Sequence, residues 1–384
     1  MKNADFDVVV VGGGPAGSTC AEFLGKGGLR TALFDHSHPR EKPCGGGVTN
    51  KAIAEFKIPK SLAERVTEKI IIESPSGDSV ELSSPGGGML VMREKFDAFL
   101  LERAKKKAAF FPEKVLSVSR KGREWVVSTA KRKVYCSYLV GADGVNSLVR
   151  KTVYQPIPKN LLAQCVGYHI PMPREQVEAL FPAAIELYFH STRNACGYFW
   201  IFPKQRTVTV GTGLRLGTTG IKEMVDDFIA SHPAAKRLAK PMSHHLHAHL
   251  IPFVNKASFY DEPTTGDTWV LIGDAAGHVC PLTGEGIAFA MLGGKLAAEA
   301  IVEGDLKRFE KKWRGRYGSF LYWGARFQNF FYSPRLLSLS VKLAKKSETM
   351  REFLRDVTEA NESYGWLFAK TALLSPKILL EQLF

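Results

Sequence analysis

Asp7-Val-Val-Val-Val-Gly12-Gly13-Gly14-Pro15-Ala16-Gly17 is the stretch on which the fold of this chain turns. Asp7–Val11 is a continuous β-branched run, which suits a parallel strand covered on both faces. It ends in Gly12-x-Gly14-x-x-Gly17, placed after a strand and at the opening of a helix, the context such a motif requires. Gly12 permits the tight turn, Gly14 lets main chain approach a pyrophosphate, and Gly17 lets the helix pack close on the strand. The helix start then offers free N–H groups to phosphates. Gly17–Leu24 reads as that helix and Arg30–Asp35 as a second strand, so Asp35 ends a βαβ unit where a carboxylate can hold a ribose hydroxyl.

This unit alone does not separate one dinucleotide from another; two further stretches do. Tyr138–Ser147 sets Asp143 and Gly144 behind a strand, with Arg150 just beyond. Val270–Gly277 follows another strand and leads through Pro281 and Gly284 to a helix beginning at Gly286-Ile287. Asp274 is placed for a ribityl hydroxyl, and the N–H groups near Gly286 and Ile287 for the N1/C2 edge of an isoalloxazine, where a helix N-terminus stabilises the anionic reduced ring. In this order the three motifs resemble the p-hydroxybenzoate hydroxylase superfamily of flavoproteins over roughly the first three hundred residues. The resemblance implies FAD, held in a Rossmann-like, discontinuous α/β domain with an inserted antiparallel-sheet substrate domain and a helical C-terminal region. The expected boundaries are 1–70, 93–155 and 265–305 for the FAD domain, 71–92 and 156–264 for the substrate domain, and 306–384 for the helical region.

Two more segments narrow the family. Lys42-Pro-Cys-Gly-Gly-Gly-Val48 and Gly197-Tyr-Phe-Trp-Ile-Phe-Pro203-Lys204 resemble the P-C-G-G-G loop and the Y-x-W-x-F-P strand of the geranylgeranyl reductases. That resemblance implies flavin contacts at Ala16, Asp35, Cys44, Gly45, Gly47, Arg93, Val115, Asp274, Gly286 and Ile287. Its activity would be hydride transfer from reduced FAD to a double bond of a prenyl lipid, with ferredoxin or NADPH as electron donor. Tyr198, Trp200 and Phe202 share one strand face; they form either a wall for a long apolar substrate or a face packed on the protein's own core. Cys44 is a candidate catalytic residue, with a structural loop cysteine as the other reading. Asp35 stands where the family usually has Glu, and His278 and Cys280 stand where relatives carry apolar or amide side chains. The rival activities are an FAD-dependent monooxygenase of an apolar or aromatic substrate, a flavin halogenase, and a flavoprotein passing electrons to a quinone or protein partner.

Composition bounds the rest. The chain has 384 residues, 45% hydrophobic and 23% charged, and a formal charge of +14. The charge favours anionic partners, but no RNP, KH or zinc-finger pattern accompanies it, so nucleic acid is not expected. No apolar run reaches eighteen residues, so no spanning helix is expected. The short, acidic start leaves no room for a signal peptide, which points to the cytoplasm, with association at the cytoplasmic face of a membrane as the alternative. The six cysteines form no C-x-x-C pair. His244, His245, His247 and His249 read as exposed strand residues rather than a metal site. Trp313, Tyr317, Phe320, Trp323, Phe327 and Phe331 recur at helical spacing, for packing or for a lipid-facing wall.

Overall fold

The computed structural model describes residues 4–42, 44–182, 185–189, 196–238, 245–359 and 364–381. Pro43, His190 and His244 lie outside them. Phe6–Val11 forms the centre of the first sheet, with Val8, Val9 and Val10 fully buried. Val8 and Val10 pack beside Cys20 and Leu24 of the helix Pro15–Lys26, while Val9 and Val11 pack beside Trp125, Val127 and Val134. Both faces are covered, which is why the strand reads as an unbroken apolar run.

Around it run Thr31–Phe34 and Ala109–Phe111 on one side and Lys133–Gly141 on the other, all parallel. Trp269–Leu271 adds parallel to the end of Lys133–Gly141, and Glu124–Ser128 and Ser117–Lys121 continue antiparallel from its beginning. The Gly-rich turn and the Gly273 turn thus follow the C-terminal ends of the two parallel strands that flank Lys133–Gly141, where open α/β sheets place their ligands.

The second sheet runs, in spatial order, Leu246–Pro252, Leu162–Pro171, Thr207–Arg215, Gly197–Pro203, Ile185–Tyr188, Arg65–Glu73, Ser79–Leu90 and Gly47–Val48. Its pairs are antiparallel except one: Ile185–Tyr188 runs parallel to Arg65–Glu73. The helix Ile221–Ser231 covers one face, packing Val225 and Phe228 against Tyr188, Phe199 and Val210. Helices Pro334–Ala344 and Glu348–Glu359 bring Leu337, Val341 and Leu354 to the other face, beside Ile70, Ile72 and Leu82.

Several expected elements need adjustment. The hairpin read over Ile70–Leu82 extends from Arg65 to Leu90. The helix read over Arg93–Ala108 stops at Lys105 and is followed by the short strand Ala109–Phe111. The strand expected over Val115–Val118 begins only at Ser117. The stretch read as loop holds the strand Gly47–Val48, with the helix Asn50–Phe56 just after it. The C-terminal aromatic helix passes from Lys307–Trp313 through a π turn at Arg314–Gly318 into Ser319–Phe331.

Candidate active site

A cavity of about 920 Å³ lies between the two sheets. Gly12, Gly14, Ala16, Asp35, Cys44, Gly45, Gly47, Arg93, Val115, Asp143, Asp274, Gly286 and Ile287 line it, as do Tyr198, Trp200 and Phe202. Gly17 sits beneath: a Cβ there would meet the Gly12 carbonyl oxygen at 1.8 Å. Gly12 has φ +106°, and its own Cβ would meet the Ala142 oxygen at 2.2 Å. The helix behind this turn begins at Gly14 with no side-chain cap, leaving its first N–H groups to the cavity.

The three acids of the sequence motifs differ in what they do. Asp35 accepts hydrogen bonds from Gly13 N (2.6 Å), Ser37 N (2.6 Å) and His38 N (2.8 Å), and from His38 Nδ1. Burial opposes its charge, but the His38 ring and these N–H groups outweigh it and hold its carboxyl well below the usual range. Asp143 accepts from Ser147 Oγ, Leu148 N and Val149 N, fixing the start of the helix Leu148–Val153. Asp274 accepts no such bond among the described residues. Burial pushes its carboxyl up, against the opposing charges of Lys42 and Arg93. Asp35 and Asp143 thus line the cavity with hydrogen bonds to the protein already made, whereas Asp274 makes none among the described residues.

Arg93 is buried and grips Asp97 with two hydrogen bonds, Nε–Oδ1 3.0 Å and Nη2–Oδ2 2.8 Å. Burial works against its charge, and Asp97 more than restores it. Lys42 is buried and its pKa is lowered, first by burial and then by Arg93. Arg40, Lys42 and Arg93 all line the cavity, and together they make its Asp274 side cationic.

The Cys44 loop and the aromatic strand are one packed unit. A Cβ on Gly45 would lie 1.9 Å from the Phe202 ring, and one on Gly47 3.9 Å from it. Trp200 lies on Gly211 and Gly213 of the neighbouring strand in the same way. The Cys44 Sγ accepts the Gly46 N–H at 3.4 Å and adjoins the Arg93 guanidinium. Tyr198 donates its hydroxyl to the Thr283 carbonyl. Next along that segment, Tyr332 Oη donates to Leu282 O (2.7 Å) and Gln328 Nε2 to Pro281 O (2.7 Å). Three consecutive carbonyls ahead of Gly286 are thus caught by three side chains from the aromatic strand and the C-terminal helices.

The histidine strand is not exposed as expected. His249, Ile251 and Phe253 all line the cavity, and burial, then Lys42, lowers the pKa of His249 to about 4. His247 packs edge-on against His169, ring centroids 4.7 Å apart. The period-two spacing of His249 with Ile251 and Phe253 carried this signal; what it could not show was which face met the cavity. Among the described residues no group of three His, Cys, Asp or Glu side chains is placed to hold a metal.

An uncapped helix start behind glycines, a cationic flank, a half-buried carboxyl with no hydrogen bond among the described residues and a cavity of this volume fit a flavin dinucleotide. Comparison with known proteins agrees. A family model described as FAD binding domain matches residues 5–301. A geranylgeranyl diphosphate reductase of Synechocystis is 32% identical over 343 residues, covering 81% of this chain and 82% of the relative. A digeranylgeranylglycerophospholipid reductase of Methanocaldococcus jannaschii is 30% identical over 337 residues, covering 83% and 85%. The solved structure of a geranylgeranyl bacteriochlorophyll reductase-like protein from Thermoplasma acidophilum matches with a TM-score of 0.76 at 23% identity, covering 96% of this chain and 99% of that one. The flavin-dependent brominase Bmp2 matches with a TM-score of 0.74 at 18% identity, covering 97% of this chain and 99% of that one, and so shares the fold. The cofactor is FAD, and the chain belongs to the geranylgeranyl reductase family of FAD-dependent oxidoreductases.

Proposed function

We propose that this enzyme saturates carbon–carbon double bonds of a prenyl lipid. The observation that carries the reading is that the cavity is also lined by Ile70, Leu187, Trp200, Ile251, Phe253 and Tyr332, which belong to one apolar cluster on the second sheet. Such a lining suits a long hydrocarbon chain and offers little to a small polar substrate. The names of the relatives, reductases of geranylgeranyl diphosphate and of a digeranylgeranyl phospholipid, support the same class.

FAD, when bound and reduced, supplies the hydride. Ala16 and its neighbours at the helix start, with Arg93 and Lys42, bind the pyrophosphate; Asp35 and Val115 flank the adenosine end. Asp274 takes a ribityl hydroxyl, and Cys44, Gly45, Gly47, Gly286 and Ile287 surround the ring. Trp200 presents a π face to the alkene, and an attraction of about 1–2 kcal/mol for a desolvated cation offsets positive character as the bond is reduced.

The test is anaerobic: reduce the enzyme with dithionite, add geranylgeranyl phospholipids, prenyl diphosphates and prenylquinones in turn, and weigh the products. Mass gains in hydrogen pairs are expected with one class. No gain with any, together with NADPH oxidation coupled to oxygen uptake and a hydroxylated product in a separate aerobic assay, would favour a monooxygenase instead. Turnover with reduced ferredoxin or with NADPH then identifies the donor.

Peripheral membrane contact belongs to the same proposal. No described helix is long and apolar enough to cross a membrane. The helix Ser319–Phe331 exposes Tyr322, Arg326 and Phe330 along one stripe, and Tyr364–Leu373 exposes Trp366 and Leu373. The two helices meet at Gly324–Tyr364 and Trp323–Gly365. Exposed aromatics beside Arg326 and Lys370 suit an anionic bilayer surface. Flotation with anionic vesicles should be weakened by salt and by a Phe330→Ser, Trp366→Ser double variant; flotation insensitive to both removes this part.

A further inference from the structure

Reduction of an alkene needs a proton as well as a hydride, and none of the sequence motifs names its source. Six carboxyl side chains line the cavity: Asp35, Glu113, Asp143, Asp274, Glu285 and Glu359. Four are committed to the protein. Asp35 and Asp143 each accept several hydrogen bonds, Glu113 accepts from Thr129 and pairs with Arg132 at 2.8 Å, and Glu359 accepts from Ser84. Burial pushes the Asp274 carboxyl up as well, but the charges of Lys42 and Arg93 oppose it there, whereas no cation does so at Glu285. Glu285 is left.

Its place fits the task. It lies between Thr283, whose carbonyl holds Tyr198 of the aromatic wall, and Gly286, which starts the helix Ile287–Val302. Oε1 accepts the Ala288 N–H at 2.7 Å, and the Ile287 N–H also acts on the carboxyl; both come from the first turn of that helix. No cation acts on it. The titratable group that interacts with it among the described residues is Tyr364 of the C-terminal helices, which is neutral.

We propose that Glu285 is the proton donor of the reaction. This rests on the prenyl reductase reading above. As the double bond is reduced, one alkene carbon takes the hydride of reduced FAD together with its electron pair. The other carbon forms its new C–H bond as the Glu285 O–H bond breaks. The π bond is replaced by two C–H bonds, FAD returns to its oxidised form, and Glu285 is left as a carboxylate that water reprotonates before the next turnover. The enclosure that makes this workable also holds the acid in its neutral form: burial pushes the Glu285 carboxyl up to about 7, against the N–H groups of Ala288 and Ile287.

The experiment compares wild type, Glu285→Gln and Glu285→Asp as FAD holoenzymes. All three should bind FAD and be reduced by dithionite alike. Reoxidation of the reduced enzyme by the prenyl lipid should slow by about 10²–10⁴-fold in Glu285→Gln. Glu285→Asp should recover part of that rate. The wild-type rate should fall as pH rises through neutrality, and the variant should lack that limb. Independently of turnover, infrared titration of the resting holoenzyme should show a carboxylic-acid carbonyl band that disappears across neutrality in wild type and is absent from Glu285→Gln. A Glu285→Gln rate within a few-fold of wild type, or an unchanged pH limb, overturns the proposal. So does a missing carbonyl band on the acid side of neutrality. A wild-type enzyme that saturates no prenyl lipid overturns the parent reading instead, and shows itself without any variant.

Discussion

A methyl group at Gly12 would meet the Ala142 carbonyl oxygen at 2.2 Å, and at Gly14 only the His38 ring at 3.4 Å. Gly12 also has φ +106°, which L side chains rarely adopt. The two glycines of one motif therefore fail differently. Gly12→Ala should destabilise the protein by more than about 3 kcal/mol through clash and backbone strain, read as a large fall in Tm with FAD loss. Gly14→Ala should keep a near-normal Tm and bind FAD more weakly, because the added methyl faces the pyrophosphate side of the cavity. Equal losses of Tm in the two variants would contradict this division.

At the scale of elements, the segment Pro281–Leu282–Thr283 depends on side chains far away in sequence. Gln328, Tyr332 and Tyr198 each hold one of its carbonyls. Tyr332→Phe leaves the buried Leu282 carbonyl unpaired, at a cost of about 1–3 kcal/mol, and the loss should show in Tm and in weaker FAD binding together. A Tm loss with unchanged FAD affinity would mean that the segment stays in place without its clamp.

How much of this was legible follows the range of the interactions. The βαβ unit and the strand Trp269–Leu271 announce themselves through local apolar runs and glycines. The strand Gly47–Val48 does not: two residues become a strand only by pairing with Met89 and Leu90. Ala109–Phe111 hides behind the end of a helix for the same reason, since its partners are Ala32, Leu33 and Phe34. In the site, the residue types and their rough places could be read, but not their duties. The sequence placed Asp35 and Asp143 beside the cavity but could not show that the His38 ring and main-chain N–H groups already hydrogen-bond them. Glu285 carries no motif of its own, and only its enclosure marks it out.

For the whole molecule, pH is the sensitive variable. His169 and His278 are buried and His249 is half-buried, and burial, the first cause in each, lowers the pKa values of His169, His249 and His278 to about 3, 4 and 3. The unfolded chain binds their protons at about pH 6.5, the native chain only far below, so unfolding takes up protons in between. Their contribution to stability is complete above about pH 6.5 and is lost as pH falls toward 4 and 3. Glu285 acts in the opposite sense, since its raised pKa means stability lost as pH rises from the ordinary carboxylate range through about 7. Asp143, Glu186 and Asp274, which burial also raises, act with Glu285 and offset part of this, and the histidine share should appear as a fall in Tm below pH 6.5. Replacing His278, whose Nδ1 meets Tyr317 Oη at 3.0 Å, by Gln should flatten that fall even if it lowers Tm throughout. Calorimetry across the acid range checks the slope, and a Tm flat between neutrality and pH 4 would refute it.

The contact between Gly45 and the Phe202 ring has a bearing on redesign. The ring fills the space that any side chain at 45 would need, so the Cys44 loop and the aromatic strand form one continuous piece of the cavity wall. Strands grafted from another reductase to change the accepted chain length must bring their own cysteine loop with them. A double-mutant cycle on Gly45→Ala and Phe202→Leu should show the second change rescuing the first by about 0.5–3 kcal/mol. Substrate range in this enzyme is therefore to be altered in matched pairs of positions spanning both sheets, rather than along the aromatic strand alone.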